Sequence, residues 1–206
     1  MLFAYIYNMN SPQDTFKSIS SVGKGVYKEL GSKFLAFAYP VETEEEIKEI
    51  IASLKKEYFD ARHHCYAYRL GLTGEKWRAN DDGEPSSSAG RPIYGQILSN
   101  ELSDILIVVV RYFGGVKLGI PGLIRAYKSA AQDAIASATP VEKVAGEVFY
   151  VEFDYLQMND VMKVLKDMNI TPLEQNFDIA CRMKLRIRLS QIEDFKSRMT
   201  SCRIFQ

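Results

Sequence analysis

The spacing of apolar residues changes along the chain, and each change marks an element. Residues 16–28 and 33–39 read as short strands, with Gly31 in the turn between them and Pro40 ending the second. Thr43 and Glu46 have the spacing of a capping box, and Ile47, Ile50, Ile51, Leu54 and Tyr58 then recur at helical intervals up to Phe59. Residues 62–70 alternate as a strand, with His64, Tyr66, Tyr68 and Leu70 on one face and His63, Cys65, Ala67 and Arg69 on the other. Ile105 to Val110 are six consecutive apolar residues bounded by Asp104 and Arg111, which predicts a strand buried on both faces and too short to cross a membrane. A second helix is predicted over about 121–138, with Leu123, Ile124, Tyr127, Ala131, Ala134 and Ile135 on one side.

Two stretches lack such periods. Residues 73–92 are rich in Gly, Ser, Asp and Pro, with Trp77 as the one large apolar residue, and predict a loop. Residues 139–146 break the preceding helix and read as a linker. Beyond it the pattern predicts strand 147–154, helix 156–169, strands 170–176 and 180–189, helix 190–201 and a short strand from Arg203 to Phe205. That βαββα(β) order is the ferredoxin-like one. The fold class is therefore α+β in two domains, 1–141 and 142–206. The apolar residues 1–7 lack a basic flank and predict an edge strand or an arm rather than a signal peptide.

Composition adds limits. The 206 residues hold 47% hydrophobic and 25% charged side chains, the balance of an ordinary soluble globular protein. Acids and bases number 26 each, which argues against a protein given over to non-specific polyanion binding but leaves room for a local basic face. The cysteines Cys65, Cys181 and Cys202 show no paired ligand spacing and read as free thiols of a reducing cytoplasm. The expected location is cytoplasmic, with no membrane contact, and a monomer is compatible with the pattern.

Four segments carry candidate chemistry. After the apolar strand, Arg111, Tyr112, Gly114, Gly115, Lys117, Gly119 and Arg125 frame a glycine-rich turn into a helix that has Pro121 near its start. This arrangement presents backbone N–H groups to an anion, or else only lets the chain turn tightly. His63 and His64 are the only histidines and, adjacent on a strand, point to opposite faces. Asp81, Asp82, Gly83, Glu84 and Pro85 form an acidic turn without the spacing of a calcium loop, for which Arg111, Arg91 or Arg62 is the expected ion-pair partner. No metal site and no cofactor is predicted; Ser86 to Gly90 lack a Walker lysine or a G-x-S-x-G elbow. In the last third, Arg182, Lys184, Arg186 and Arg188 alternate with apolar residues, so the four cations share one sheet face. They form either a platform for nucleic-acid phosphates or a charge ladder with acids such as Glu152, since residues 142–206 hold ten acids and ten bases.

DARHHCYAY at 60–68, DDGEPSSSAGRP at 81–92 and RYFGGVKLG at 111–119, in that chain order, resemble the signature segments of the YigZ/IMPACT family. The wider signature runs from Gly90 through Ile93, Ile97, Leu102 and Val108-Val109 to Gly119, and the resemblance covers residues 18–206. Four positions depart: Tyr94 replaces an aliphatic residue, Ser87-Ser88 a small pair, and Arg91 a lysine. The resemblance implies a ribosomal-protein-like first domain and a second like the last domain of elongation factor G. It also implies a translation-associated regulatory role, linked in eukaryotic members to control of initiation. The expected activity is therefore non-enzymatic binding of RNA, the ribosome or a translation-linked protein. The alternative is a phosphate- or nucleotide-handling enzyme using the 81–92 and 111–122 loops. The candidate binding surface comprises His63, His64, Asp81, Asp82, Gly83, Glu84, Pro85, Ser88, Gly90, Arg91, Arg111, Tyr112, Gly114, Gly115, Lys117, Gly119 and Arg125, and His63 or His64, the Asp82–Glu84 turn and the Arg111–Gly115 turn should line one concave surface.

Overall fold

The structure, a computed structural model, describes residues 14–178 and 180–206, so the expected N-terminal strand or arm lies outside the described residues. The chain divides into two compact units, one of residues 16–143 and one of residues 144–206 together with Asp14 and Thr15.

The first unit is built on a five-stranded sheet. Its strands are β2 (Gly23–Glu29), β3 (Ser32–Pro40), β4 (His63–Leu70), β5 (Lys76–Asn80) and β6 (Ile105–Tyr112), in the order β2-β3-β6-β4-β5 with every neighbour antiparallel. The apolar run forms the central strand β6, buried from Ile105 to Arg111 because helices cover both faces. Helix α1 (Glu44–Glu57) lies over one face, where Leu106, Val108 and Val110 meet Ile47 and Leu54. Helices α2 (Gly90–Ser99) and α3 (Gly119–Ser137) cover the other, where Ile107 and Val109 meet Ile93, Ile97 and Tyr127. The capping box of α1 forms as predicted: Glu46 N–H donates to Thr43 Oγ1 at 3.2 Å, and Glu46 Oε2 accepts from the Thr43 N–H.

Three sequence expectations change here. Residues 16–28 are two strands, β1 (Thr15–Ile19) and β2, parted at Ser20–Val22. The segment read as a linker contains strand β7 (Pro140–Val144), which pairs with β1. The loop over 73–92 is shortened from both ends, because Lys76–Asn80 form β5 on the sheet edge and Gly90 opens α2. Trp77 explains the first of these: its ring stacks on Tyr94 of α2, centroids 4.6 Å apart, anchoring a strand that has little other apolar content.

The second unit follows the predicted element order. Strands β8 (Gly146–Phe153), β9 (Pro172–Phe177), β10 (Cys181–Arg188) and β11 (Arg203–Phe205) lie in the order β11-β8-β10-β9. Helices α4 (Met158–Asp167) and α5 (Ile192–Arg198) pack on one face, with Val161, Leu165 and Phe195 against Phe149, Val151, Met183 and Leu185. The opposite face carries Val148, Tyr150 and Glu152 beside the cations of β10 and is uncovered among the described residues.

Candidate functional site

Strand pairing brings the three singled-out segments of the first unit together. His63 lies opposite Arg111 across the β4–β6 ladder, and Phe34 lies opposite Arg111 on its other side. Since residues of one register share a face, His63 and Arg111 point with Cys65 toward α3 rather than toward α1. The 81–85 turn closes over that end of the sheet. It is held by Glu84 N–H donating to the Asp81 carbonyl at 2.9 Å, with Asp82 and Gly83 at φ of 41° and 88°. Glycine supplies the second left-handed position at no steric cost, and aspartate is among the residues that tolerate the first.

Each carboxylate of the turn has a distinct task. Asp81 accepts from the N–H groups of Ala89 and Gly90 at 3.0 and 2.8 Å, and so caps α2 from outside its own sequence. Asp82 accepts from the His64 N–H at 2.7 Å and pairs with Lys55 of α1 at 3.1 Å. Burial opposes its ionisation, but those two donors outweigh it and hold the carboxyl below its ordinary range. Glu84 is buried and takes Arg111 Nη1 at 2.5 Å and the Tyr127 hydroxyl at 2.7 Å on the same oxygen. Burial pushes the Tyr127 phenol and the Cys65 thiol well above their usual ranges, so both stay protonated. Cys65 Sγ lies 3.3 Å from the Tyr127 oxygen and 3.0 Å from the Asp81 carbonyl, which links the turn to α3.

The two histidines part company. His63 Nδ1 is 2.8 Å from the Asp82 carbonyl, which can only accept, so this nitrogen carries the proton and Nε2 faces Glu84 at 3.9 Å. His64 lies on the α1 face. Burial lowers its pKa, the Asp82 carboxylate opposing, and its Nε2 is buried without a partner among the described residues.

Of these residues His63, Glu84 and Arg111 line a cavity of about 370 Å³, while Asp81, Asp82, Gly83 and His64 do not. Arg62, His63, Glu84, Arg111 and Lys117 supply its polar wall; Pro85, Phe113, Leu118, Ile120 and Leu123 its apolar wall; Gly119 starts α3 beside it. The lining carries three guanidinium or ammonium groups against one carboxylate. Phe113 takes Arg62 and Arg111 near its ring, at 5.9 and 5.7 Å from the centroid. Arg111 Nε is buried and has no partner among the described residues.

Several expected members stand apart from this cavity. Tyr112 alternates to the other face, where its hydroxyl donates to Asp60 at 2.9 Å; Phe113 takes the place expected of it. His64 leaves with it. Arg91 stacks over Trp77, its guanidinium carbon 5.2 Å from the ring centroid, and Arg125 pairs with Glu29. Ser88 is buried and donates to the Pro85 carbonyl at 2.6 Å, and Gly90 sits against the backbone of Ala79 and Asn80. Gly114 meets the backbone of Gly31 and Ser32 closely, and Gly115 turns the chain at φ of 88°. Arg62 and Leu118 enter the site from turns, which no periodicity signals, and Ile120 from the first turn of α3; Tyr127 and Leu123 were visible only as members of an apolar stripe.

On the open face of the second sheet the cations of β10 meet acids. Arg182 pairs with Glu152 at 2.7 Å, Lys184 with Glu174 at 2.8 Å, and Arg188 with Asp14 at 3.7 Å. Arg186 lies in the same register row.

Residues 30–135 match the Impact N-terminal domain. An IMPACT family member of Haemophilus influenzae is 33% identical over 82% of this chain and 83% of its own length. IMPACT family member YvyE of Bacillus subtilis is 32% identical over 82% of this chain and 78% of its own length. The crystal structure of a hypothetical protein superimposes with a TM-score of 0.72 at 23% identity, covering 94% of this chain and 98% of that one, and so shares its fold. With half of the chain matched by the domain and most of two curated relatives covered, the chain belongs to the IMPACT family.

Proposed function

We propose that the protein is a non-enzymatic, translation-associated binding protein of the cytoplasm that engages RNA of the translation apparatus. Family membership supports the translation link, which the resemblance of the signature segments implies for the IMPACT family. The observation that carries the non-enzymatic part is the state of the acidic turn. Asp81 caps a helix, Asp82 holds His64 and Lys55, and Glu84 is tied to Arg111 and Tyr127, so all three carboxylates of the family motif hold up a surface. Co-sedimentation of the full chain with ribosomal particles from native lysate tests the reading. Association that weakens as salt rises is the expected result. A chain that stays at the top of the gradient at every salt concentration, while its purified form turns over phosphoesters, would overturn it.

A second reading has its own observation. The cavity beside the start of α3 combines Arg62, Lys117 and an Arg111 Nε that has no partner among the described residues with an apolar wall, which suits a phosphorylated small molecule. His63 Nε2 would be the proton acceptor in such a site. Turnover that vanishes in His63→Gln while the fold is retained would favour it.

A further inference from the structure

The open face of the second sheet holds a feature that the row of cations on β10 did not disclose. Tyr150 of β8 and Phe205 of β11 are register partners, and their rings stack with centroids 5.7 Å apart and planes 11° from parallel. Both stay exposed, at 39% and 45%. Lys184, opposite Tyr150 on the other neighbouring strand, places its ammonium 5.9 Å from the Tyr150 centroid. Around the pair lies a broad concavity of about 760 Å³, with Met183, Gln175 and Asn176 in its wall. Two large rings side by side in water, opposite the strand face that carries Phe149, Val151 and Ile204, do nothing for the core beneath them.

Charge on the open face is biased toward the positive. Residues 142–206 carry ten acids and ten bases, yet the open face gathers Arg203 with the four cations of β10 against Glu152, Glu174 and Asp14. The helices of the opposite side are balanced, with Asp160, Asp167, Glu193 and Asp194 beside Lys163, Lys166, Lys196 and Arg198. Each ion pair that does form keeps one partner in water: the Arg182 side chain is 69% accessible against 22% for Glu152, and Glu174 69% against 29% for Lys184. Such pairs contribute only about 0–1 kcal/mol each, so a phosphate can take the place of a carboxylate at little cost.

We propose that this face binds single-stranded RNA, the Tyr150–Phe205 pair extending its stack onto a base while the β10 cations and Arg203 meet the phosphates. The proposal rests on the translation-linked reading above and names the surface and ligand chemistry it requires. A double helix has no free base faces to offer the rings, and an acidic peptide offers charge without a stacking partner. A strand of RNA offers both.

The test is fluorescence anisotropy of a labelled, unstructured uridine-rich RNA oligonucleotide with the full chain, titrated over a range of salt. Tyr150→Ala with Phe205→Ala should weaken binding about tenfold or more while leaving the slope of log affinity against log salt unchanged. Replacing Arg182, Lys184, Arg186 and Arg188 by Gln should instead flatten that slope. Because removing two cross-strand rings can loosen β11, Tyr150→Leu with Phe205→Leu keeps the apolar area and should lose affinity in the same way. Ring variants that bind as tightly as the native chain would overturn the proposal. So would equal binding of heparin and RNA with no dependence on the rings, which marks a mere polyanion surface, or capture of a protein partner lost in the ring variants without any RNA binding. Native chain that co-sediments with ribosomal particles but ignores the oligonucleotide removes this platform and leaves the translation-linked reading standing.

Discussion

Arg111 carries a full charge into a place that is 95% closed to water, and Glu84 is what makes this tolerable. Desolvating two ions costs several kcal/mol each, and their mutual attraction offsets this only while both are present. Glu84→Gln still accepts from Tyr127 but leaves the guanidinium without a counter-charge. It should lower stability by about 3–5 kcal/mol in urea unfolding, whereas Glu84→Gln combined with Arg111→Met should lose clearly less. A double variant as unstable as the single one would show that the pair is held for something other than charge compensation. The buried imidazole of His64 gives a pH signature. Its folded pKa lies below the ordinary 6.5, so the unfolded chain takes up a proton that the folded chain refuses. Stability should be full above about pH 6.5 and fall as pH drops from there toward the folded value, by at most about 1.4 kcal/mol per pH unit for this one group. Asp82 has the same sign but acts only below about pH 3.8. Urea midpoints from about pH 8 to about pH 5 check this, and His64→Gln should flatten the decline.

At the scale of elements, the turn after β6 positions the cavity because the chain there touches the β2–β3 hairpin. A Cβ at Gly114 would overlap the backbone of Gly31 and Ser32, and the Gly114 N–H donates to Ser32 Oγ at 3.2 Å. Gly114→Ala should therefore destabilise by about 1–3 kcal/mol and shift Phe113 and Lys117, visible as amide chemical-shift changes along the start of α3. Thr43→Ala, far from the cavity, should cost only about 1 kcal/mol through loss of the α1 cap and leave those shifts alone. The contrast shows which features sequence can disclose. The α1 cap and stripe, the buried strand β6 and the alternation of β10 depend on neighbours within a few residues, and each was legible. Strand β5 was not, because a short exposed edge strand draws its stability from Trp77 stacking on a tyrosine seventeen residues away. β7 was hidden likewise, its partner β1 being more than a hundred residues distant. The Glu84–Arg111 pair was foreseeable as a type, since buried acids require cations. That Tyr127 and Cys65 complete the network depends on α3 crossing the sheet at that point, which no spacing encodes.

Over the whole molecule, apolar burial is divided among clusters that respect the two units. Phe34, Ile93, Ile107 and Tyr127 belong to the core under α2 and α3, whereas Phe149, Leu185 and Phe195 belong to the core of the second sheet. Phe34 and Phe195 are both fully buried, so each truncation to alanine removes a comparable amount of apolar contact and should cost about 3–5 kcal/mol locally. If each unit holds its own cooperative structure, Phe195→Ala should raise amide hydrogen exchange across 144–206 while strands β3, β4 and β6 keep their protection, and Phe34→Ala should do the reverse. The outcome bears directly on function. Independent units let the cavity of residues 16–143 and the ring platform of residues 144–206 be disabled one at a time, so that loss of RNA binding in a platform variant can be assigned to the platform itself. Exchange that rises everywhere after either truncation would mean that the two cores unfold as one, and every binding variant would then need its effect measured in both units.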